Sequence, residues 1–345
     1  MTPPLPKVIV SAPNWLGDAV MSLPLLGTLS ATPGVRLSVM APSYTARVFL
    51  GVEGIDELLV YSSEGMLRGM RQRARMIRRL DASAAVILPP SFSSAVPPFL
   101  ARVACRVGFG ADGRRSLLTT SIRPSGLREE HLSQSYLRLG EVALRHLGIE
   151  SSGNVSALRL EVFDNERASL VEKLEAMKAP DSGYCLVVPG ATYGSAKLWP
   201  EPFCREAVRR LARSFPVVLA GAPSEKGVCA RIASGIEGAF DMSGETTLGE
   251  LFALIEGADV LVSNDSGASH VAGSLGIPAV VIFGSTSPRW TCPLGSHIAV
   301  AREPVLCSPC FLRECPTHLE CFQRISPEKV VEHVVLAAKK GSISA

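Results

Sequence analysis

Asp259-Val-Leu-Val-Ser263 leads through Asn264-Asp-Ser266 into Gly267-Ala-Ser-His-Val-Ala-Gly-Ser-Leu275, and Ala279-Val-Val-Ile-Phe283 follows. The two apolar runs have the length of strands, and the segment between them has the length of a helix. A strand, a helix and a second strand in this order predict a βαβ unit of a parallel sheet.

The same alternation of apolar runs and helical segments extends over the chain. Strands are predicted at 7–11, 36–41, 57–61, 84–88, 106–109, 184–188 and 216–220, besides 259–263 and 279–283. Helices are predicted at 19–30, 132–146, 163–178, 202–213, 225–233, 248–256, 267–275 and 327–339, with loops at 110–130 and 148–160. The pattern predicts an α/β protein with two Rossmann-like, doubly wound domains, 1–178 and 179–345, with the last helix able to pack back on the N-terminal domain. Ligands bind outside the carboxyl ends of such strands, so we expect the chemistry in a central cleft that the domains face.

Length and composition agree with two globular domains. The chain has 345 residues, of which 47% are hydrophobic and 19% charged, and one domain rarely exceeds about 250–300 residues. No apolar run reaches the roughly 18 residues of a membrane span, and the N-terminus has no signal-peptide pattern. Nine cysteines are an odd number, which favours reduced thiols and a cytoplasmic protein.

The charge is distributed unevenly. Residues 1–150 carry 17 Lys and Arg against 11 Asp and Glu, a net charge of +6, and residues 151–345 carry 18 against 21, a net charge of −3. A basic first half suggests a phosphorylated or otherwise acidic partner there, although ordinary solvated surface explains the excess equally well.

The turn before the helix at 267–275 has the features of a diphosphate site. Ser266 and Gly267 leave the first amide groups of the helix accessible, and the helix dipole favours an anion there. Asp265 could cap the helix, and His270 lies one turn further on. Taken alone, this segment is explained equally well by a helix cap and a packed histidine.

Three motifs occur in order along the chain. The first is Asn14-Trp-Leu-Gly-Asp18, and the second is Pro189-Gly-Ala-Thr-Tyr-Gly-Ser-Ala-Lys-Leu-Trp-Pro200. The third is Asn264-Asp-Ser-Gly267 with His270 and the later Phe283-Gly-Ser-Thr-Ser-Pro288. Together they resemble the ADP-heptose:lipopolysaccharide heptosyltransferase family, glycosyltransferase family 9, and the second motif is most similar to its heptosyltransferase II branch. The resemblance implies a GT-B fold, inversion of configuration, no cofactor and no metal in the active site.

The resemblance also implies catalytic roles for two residues. Asp18 would be the general base that deprotonates the acceptor hydroxyl, kept ionised by the dipole of the helix that it begins. Lys197 would hold the charge that develops on the departing diphosphate. Without the family, a helix cap and a surface lysine would explain the two residues.

Binding residues follow from the same motifs. The donor-binding residues implied are Thr192, Lys197, Glu225, Thr246, Asp265, Ser266, Gly267 and His270. Glu225 would accept the ribose hydroxyls, although a glutamate that complements a helix dipole fits its position equally well. On the acceptor side, we expect Asn14 and Trp15 of the N-terminal motif and Arg114 and Arg115 of the loop that follows the strand at 106–109.

A second group of arginines lies on one predicted helix: Arg68, Arg71, Arg73, Arg75, Arg78 and Arg79. Leu67, Met70, Ala74 and Ile77 keep an apolar stripe on this helix, so most of the arginines face water. A solvated face is the simpler interpretation, and docking on anionic lipid is the alternative.

Cysteines recur near the C-terminus as Cys307-x2-Cys310-x4-Cys315-x5-Cys321. The CxxC pair suggests zinc or an iron–sulfur cluster, but the second half lacks metal-ligand spacing. Reduced thiols or a local disulfide fit better.

The function that these observations favour is heptose transfer from ADP-heptose to the inner-core heptose of lipopolysaccharide, as by a heptosyltransferase II. The partners would be the donor and a lipid A–Kdo–heptose acceptor at the cytoplasmic face of the inner membrane, with no nucleic acid, no transmembrane segment and a monomeric chain. Alternatives are a heptosyltransferase I, another GT-B transferase and a GT-B-like nucleotide-sugar epimerase. Asn14-Trp-Leu-Gly-Asp18 is no G-x-G-x-x-G loop, which disfavours a dinucleotide-dependent oxidoreductase.

Overall fold

A computed structural model describes residues 5–62, 65–123, 128–153 and 159–344, with side chains as far as Lys339. The predicted loops at 110–130 and 148–160 lie partly outside these residues. The chain divides into two compact units, Met1–Glu161 and Val162–Ala345. Among the residues described, every helix is too short or too polar to serve as a membrane span.

The first unit is built on a parallel sheet with the strand order β3-β2-β1-β4-β5-β6. Its strands are β1 (Lys7–Ser11), β2 (Arg36–Pro42), β3 (Ile55–Tyr61), β4 (Ala84–Ile87), β5 (Cys105–Phe109) and β6 (Thr120–Ile122). Its helices are α1 (Leu16–Met21), α2 (Leu23–Ala31), α3 (Met66–Leu80), α4 (Phe92–Leu100) and α5 (Leu132–His146), with 3-10 turns at Ala46–Phe49 and Arg114–Leu117. Val8, Ile9 and Val10 of β1 are buried, as expected for a parallel strand covered on both faces.

The second unit repeats this plan with the order β12-β11-β10-β7-β8-β9. Its strands are β7 (Tyr184–Val188), β8 (Val217–Leu219), β9 (Ala239–Asp241), β10 (Ala258–Asn264), β11 (Ala279–Ile282) and β12 (Ile298–Ala301). Its helices are α6 (Asp164–Ala176), α7 (Glu201–Leu211), α8 (Lys226–Ala233), α9 (Leu248–Glu256), α10 (Gly267–Leu275), α11 (Pro288–Thr291), α12 (Glu320–Gln323) and α13 (Pro327–Ser344), with 3-10 turns at Ser195–Lys197 and Pro223–Glu225. Val262 of β10 lies beside Val187 of β7 and Val280 of β11, which places β10 inside the sheet.

In both units the strand order reverses next to the first strand, between β1 and β4 and between β7 and β10. Loops that leave adjacent strands in opposite directions at such a point open a crevice at the carboxyl edge of the sheet. Each unit therefore has one position where a ligand site is expected.

Helix α6 belongs to the second unit, so the division of the chain lies before this helix. The sequence had placed the division after it, at 178–179. Arg167 pairs with Glu256 at 2.7 Å, and Lys173 pairs with Glu250 at 2.7 Å, and both acids lie on α9. Burial opposes ionisation of Glu250, but hydrogen bonds from Lys173, Ser169 and Thr247 outweigh it and lower the pKa of Glu250 to about 2.

The last helix, α13, had been expected to pack back on the N-terminal domain. Its Val330 and Val334 instead belong to the core of the second unit, together with Ile325 and Trp199. The indole Nε1 of Trp199 donates to the Ile325 carbonyl at 3.1 Å, which holds the approach to α13 against the second sheet.

Arg114 is fully buried, so its predicted contact with an acceptor is wrong for this structure. Its Nε donates to the Phe109 carbonyl at 2.8 Å, and its Nη1 donates to the Pro89 carbonyl at 2.5 Å and to Ser94 Oγ at 2.7 Å. Burial lowers the pKa of Arg114 to about 10, against the opposing charge of Asp112. Arg114 therefore ties the loop after β4 to the end of β5.

Replacing Arg114 with Ala should lower the free energy of unfolding by about 3 kcal/mol, because buried carbonyl groups lose their donor. Urea unfolding followed by circular dichroism measures this. Arg115→Ala is the matched control: Arg115 is exposed, so its loss should cost less than about 0.5 kcal/mol. Equal effects of the two changes would contradict the assignment.

Candidate functional site

Asn264, at the end of β10, spans the crevice of the second unit. Its Nδ2 donates to the Pro189 carbonyl, in the loop after β7, at 2.6 Å, and its Oδ1 accepts from the Trp199 amide at 3.2 Å. The side chain is buried. The sequence motif included Asn264 without a role for it, and its role is to hold the loop that carries Lys197 against β10.

Lys197 and Asp265 form a largely buried ion pair at this point. The Lys197 Nζ lies 2.8 Å from Asp265 Oδ2, with side-chain exposures of 16% and 4%. The same oxygen accepts from the hydroxyl groups of Thr286 at 2.7 Å and Thr291 at 3.3 Å. The two threonines hold the Asp265 carboxylate, and this carboxylate positions the Lys197 ammonium group. Removing one partner of the ion pair would leave the other charge uncompensated.

Helix α10 begins next to this pair. Ser266 is its N-cap residue with an extended backbone, and the Ser266 side chain makes no capping hydrogen bond. The Ser266 Oγ is buried, and within the described residues it has no hydrogen-bond partner. The first-turn amide groups of a helix have no partner inside the helix, and the dipole makes this end positive. The end of α10 and Lys197 thus form an arrangement that suits a diphosphate.

The loop that carries Lys197 is held from its other side by the cysteine-containing segment. Tyr193 donates its hydroxyl to the Phe311 carbonyl at 3.1 Å, and the Ala196 amide donates to the Arg313 carbonyl at 3.0 Å. The Lys197 Nζ lies 5.4 Å from the centre of the Tyr193 ring. The Lys197 loop and the cysteine-containing segment pack so closely that a Cβ at Gly194 would lie 3.0 Å from the carbonyl carbon of Arg313.

The nine cysteines are all free thiols, so the local disulfide considered from the sequence is not formed. Burial, with the nearby charges of Cys307, Cys310 and Cys315, raises the pKa of Cys321. Within the described part of the chain, no three His, Cys, Asp or Glu side chains are grouped in a way that would hold a metal ion. The contacts of this segment indicate a structural role beside the Lys197 loop.

Glu225 lies at the carboxyl ends of β7 and β8. Its carboxylate contacts Gly190 and Gly221, and a Cβ at Gly221 would lie 2.8 Å from Oε2. The Ala222 amide donates to Oε2 at 2.7 Å, and Glu225 precedes α8 instead of beginning it. The carboxylate is half-buried, which leaves it able to accept hydrogen bonds from a ligand.

The remaining donor-side residues lie along the same edge of the second sheet. Thr192 is exposed in the loop after β7, and Thr246 is half-buried after β9, next to Thr247, the N-cap residue of α9. His270 lies in α10 and is 4% exposed, as a packing role requires. Contacts of these three residues with a ligand stay predictions.

In the first unit, Asp18 lies in the first turn of α1, whose N-cap residue is Trp15. Asp18 therefore does not cap the helix. Burial and the charge of Asp18 raise the pKa of the buried Tyr136 of α5 well above its ordinary value. Asn14 and Trp15 are exposed just after β1. Tyr136 had not been predicted, because a tyrosine in an amphipathic helix carries no sequence signal for an electrostatic interaction with Asp18.

The model of glycosyltransferase family 9 (heptosyltransferase) matches residues 70–320. The chain belongs to this family. It is therefore a glycosyltransferase, as its motifs had predicted.

Two curated relatives extend the similarity over most of the chain. Lipooligosaccharide heptosyltransferase 2 of Haemophilus influenzae is 27% identical over 312 residues, which cover 86% of this chain and 88% of the relative. Lipopolysaccharide heptosyltransferase 2 of Escherichia coli is 28% identical over 308 residues, with the same coverage.

The fold of this family 9 glycosyltransferase is also found in a solved structure. The Escherichia coli ADP-heptose lipopolysaccharide heptosyltransferase II has a TM-score of 0.80 at 24% identity, over 97% of this chain and 99% of that one. The predicted GT-B fold class is thereby confirmed.

If the start of α10 and Lys197 hold a diphosphate, replacing Lys197 with Met should weaken binding of ADP, used as the probe, at least tenfold, because a charge-assisted hydrogen bond contributes about 1.5–3 kcal/mol. Isothermal titration calorimetry measures the affinity. Lys197→Met combined with Asp265→Asn removes the carboxylate left unpaired by the single change, and the loss should persist. Lys226→Met, on an exposed ion pair with Glu245, is the control. Recovery of full affinity in the double variant would show that Lys197 serves only to neutralise Asp265.

Proposed function

We propose that this family 9 glycosyltransferase transfers L-glycero-D-manno-heptose from ADP-heptose to the inner-core heptose of lipopolysaccharide, with inversion at the anomeric carbon. The observation that carries the proposal is the largely buried Lys197–Asp265 pair at the start of α10, in a chain whose relatives are named heptosyltransferase 2. The same diphosphate site would suit other nucleotide-sugar donors. The choice of heptose as the transferred sugar is therefore supported only by the names of the relatives.

The second unit would hold the donor. The β-phosphate gains negative charge as its bond to the sugar breaks, and Lys197 with the amide groups at Ser266 and Gly267 would stabilise that charge. Glu225 would accept hydrogen bonds from the ribose hydroxyl groups, and Thr246 would lie near the base. Thr192 and His270 would complete the donor side.

The first unit would supply the base and bind the acceptor. The acceptor hydroxyl oxygen attacks the anomeric carbon from the face opposite the diphosphate, the bond from that carbon to ADP breaks, and the hydroxyl proton passes to the Asp18 carboxylate. Asn14 and Trp15, exposed in the same loop, would contact the acceptor. Arg115 remains a candidate for this contact, whereas Arg114 is buried.

Membership of a glycosyltransferase family favours transfer to a separate acceptor over the epimerase alternative. A heptosyltransferase I, the remaining alternative, would act on a different acceptor. The two possibilities are separated by the acceptor that is consumed.

The proposal is tested by incubating the protein with ADP-heptose and heptosylated Kdo2–lipid A. Release of ADP and gain of one heptose, seen by mass spectrometry, are expected. Asp18→Asn should lower kcat by at least a thousandfold and leave ADP affinity within about threefold, because only proton transfer is removed. Activity only with unheptosylated Kdo2–lipid A, or only with another nucleotide sugar, would overturn the proposal.

We also propose that the enzyme works in the cytoplasm, peripherally on the anionic face of the inner membrane. Arg68, Arg71, Arg75 and Arg78 lie on the exposed side of α3. Large apolar side chains are exposed with them: Met66 and Leu67 at 73% and 68%, and Phe99 and Leu100 of α4. The Arg78 Nη2 donates to the Leu100 carbonyl at 2.6 Å, which joins the two helices in one basic and apolar surface.

Removing Arg71, Arg75 and Arg78 together, as glutamines, should weaken binding to vesicles of anionic phosphatidylglycerol on the order of a hundredfold, since each arginine contributes about 1 kcal/mol. Co-sedimentation with vesicles measures this. The control triple variant changes Arg138, Arg145 and Arg213, which are exposed elsewhere. Equal losses in both triples would indicate a net-charge effect without a docking surface.

A further inference from the structure

The first unit has a cavity of about 370 Å³ near its crevice, within the range of roughly 300–1,000 Å³ typical of small-molecule sites. Asn14 after β1, Tyr44 after β2, Tyr61 at the end of β3 and Ser93 in α4 line it. These residues lie at the carboxyl ends of adjacent parallel strands, where doubly wound sheets bind ligands. Asn14 also belongs to the loop that leads into Asp18.

Arg73 is the charged residue of this cavity. It lies roughly 140° around α3 from Arg68, at 100° per residue, and it is half-buried while Arg68, Arg71, Arg75 and Arg78 are exposed. The sequence had grouped Arg73 with those arginines. The structure separates it, because it follows the buried Gly69 and Met70 side of the helix.

The Arg73 guanidinium group is held in place from two directions. It lies 4.8 Å from the centre of the Tyr61 ring, a cation–π distance. Its Nε donates to the Gly69 carbonyl at 3.2 Å. An arginine fixed in this way loses little freedom on binding, which favours a carboxylate or phosphate ligand that can accept two parallel hydrogen bonds.

The surroundings favour an anion as well. None of the described residues that line the cavity is acidic, and the nearby Asp112 carboxylate accepts from the Phe92 amide at 2.6 Å. The charge of Arg73 opposes the rise that burial causes in the pKa values of Tyr44 and Tyr61, so its positive charge reaches both tyrosines. Tyrosine, serine and asparagine side chains can bind sugar hydroxyl groups.

We infer that this cavity binds an anionic sugar unit of the acceptor, with Arg73 as the ligand of its carboxylate or phosphate group. The inference rests on the proposed function, since it takes the ligand to be part of the acceptor. Arg73 would set which acceptors are used, and it would take no part in proton transfer or in binding the donor.

The test uses steady-state kinetics with ADP-heptose and a deacylated acceptor, which removes any effect of membrane binding. Arg73→Gln should raise the acceptor KM at least tenfold and leave the KM for ADP-heptose within twofold. Arg73→Lys should give an acceptor KM between those of the wild type and Arg73→Gln, because lysine keeps the charge but lacks the paired donors. Arg145→Gln, an exposed change on α5, should alter neither constant. An unchanged acceptor KM in Arg73→Gln would overturn the inference.

Modified acceptors identify the anion. If the carboxylate is the ligand, an acceptor with carboxyl-reduced Kdo should raise the acceptor KM of the wild-type enzyme by about the same factor as Arg73→Gln does. The modified acceptor should then not raise the acceptor KM of Arg73→Gln any further. If phosphate is the ligand, removal of the acceptor phosphate should do so instead. Full additivity of Arg73→Gln with both modifications would overturn the inference.

A direct binding experiment separates this inference from the proposed function. Free Kdo and inorganic phosphate are titrated into the full-length wild-type and Arg73→Gln proteins, and the chemical shifts of the tyrosine ring resonances are followed. Saturable shifts with either anion in the wild type, lost in Arg73→Gln, would support the site even if no transfer of heptose were found. Absence of shifts with both anions, in an enzyme that transfers heptose, would overturn the cavity and leave the proposed function intact.

Discussion

A carboxylate buried at the end of a strand must be neutralised, and the Asp265 carboxylate is the constraint on which the second unit depends. It is met by Lys197 from the loop after β7 and by Thr286 and Thr291 from the segment after β11. Because the desolvated charge is costly without these partners, their contacts hold the three segments together at this edge of the sheet. The same requirement leaves an ammonium group fixed beside the start of α10, where the helix dipole favours an anion.

Neighbouring contacts make this arrangement rigid. Asn264 ties the loop after β7 to β10, and the segment at 308–313 holds the same loop through Tyr193 and Ala196. A cationic group that needs no reorganisation can stabilise developing charge in a transition state better than a mobile one. The cysteine-containing segment therefore has a physical function in the fold, whatever chemistry its thiols have.

The first unit meets a similar requirement with a buried cation. Arg114 donates to carbonyl groups after β4 and at the end of β5, which fixes loops beside the crevice of that sheet. Asp18 and Asn14 lie at the same carboxyl edge, and the Arg73 guanidinium group reaches Tyr61 at the end of β3 from the middle of α3. Residues that stabilise the fold and candidate substrate-binding residues thus lie along the same edge of the first sheet. The charge of a side chain does not show to which of the two groups it belongs.

Local pattern was sufficient for most of the elements. Helices α9 and α10 have the predicted bounds, because amphipathic periodicity and flanking turn residues mark them clearly. β6, β9 and β12, of three or four residues, were missed because an edge strand that short has no periodic pattern. Helix α4 was missed because Pro97 and Pro98 indicate a break, and only packing in the first unit sustains it.

The sequence determined the family, the two parallel sheets and the residues of the diphosphate motif, because these depend on neighbours along the chain. Tertiary structure alone decided which like residues have different roles. Arg114 is buried and Arg115 exposed, Arg73 enters a cavity while Arg71 and Arg75 face water, and Asp265 is bound to Lys197 instead of capping α10. These differences depend on groups distant in sequence, such as Pro89, Tyr61 and Thr286, whose proximity no local pattern encodes.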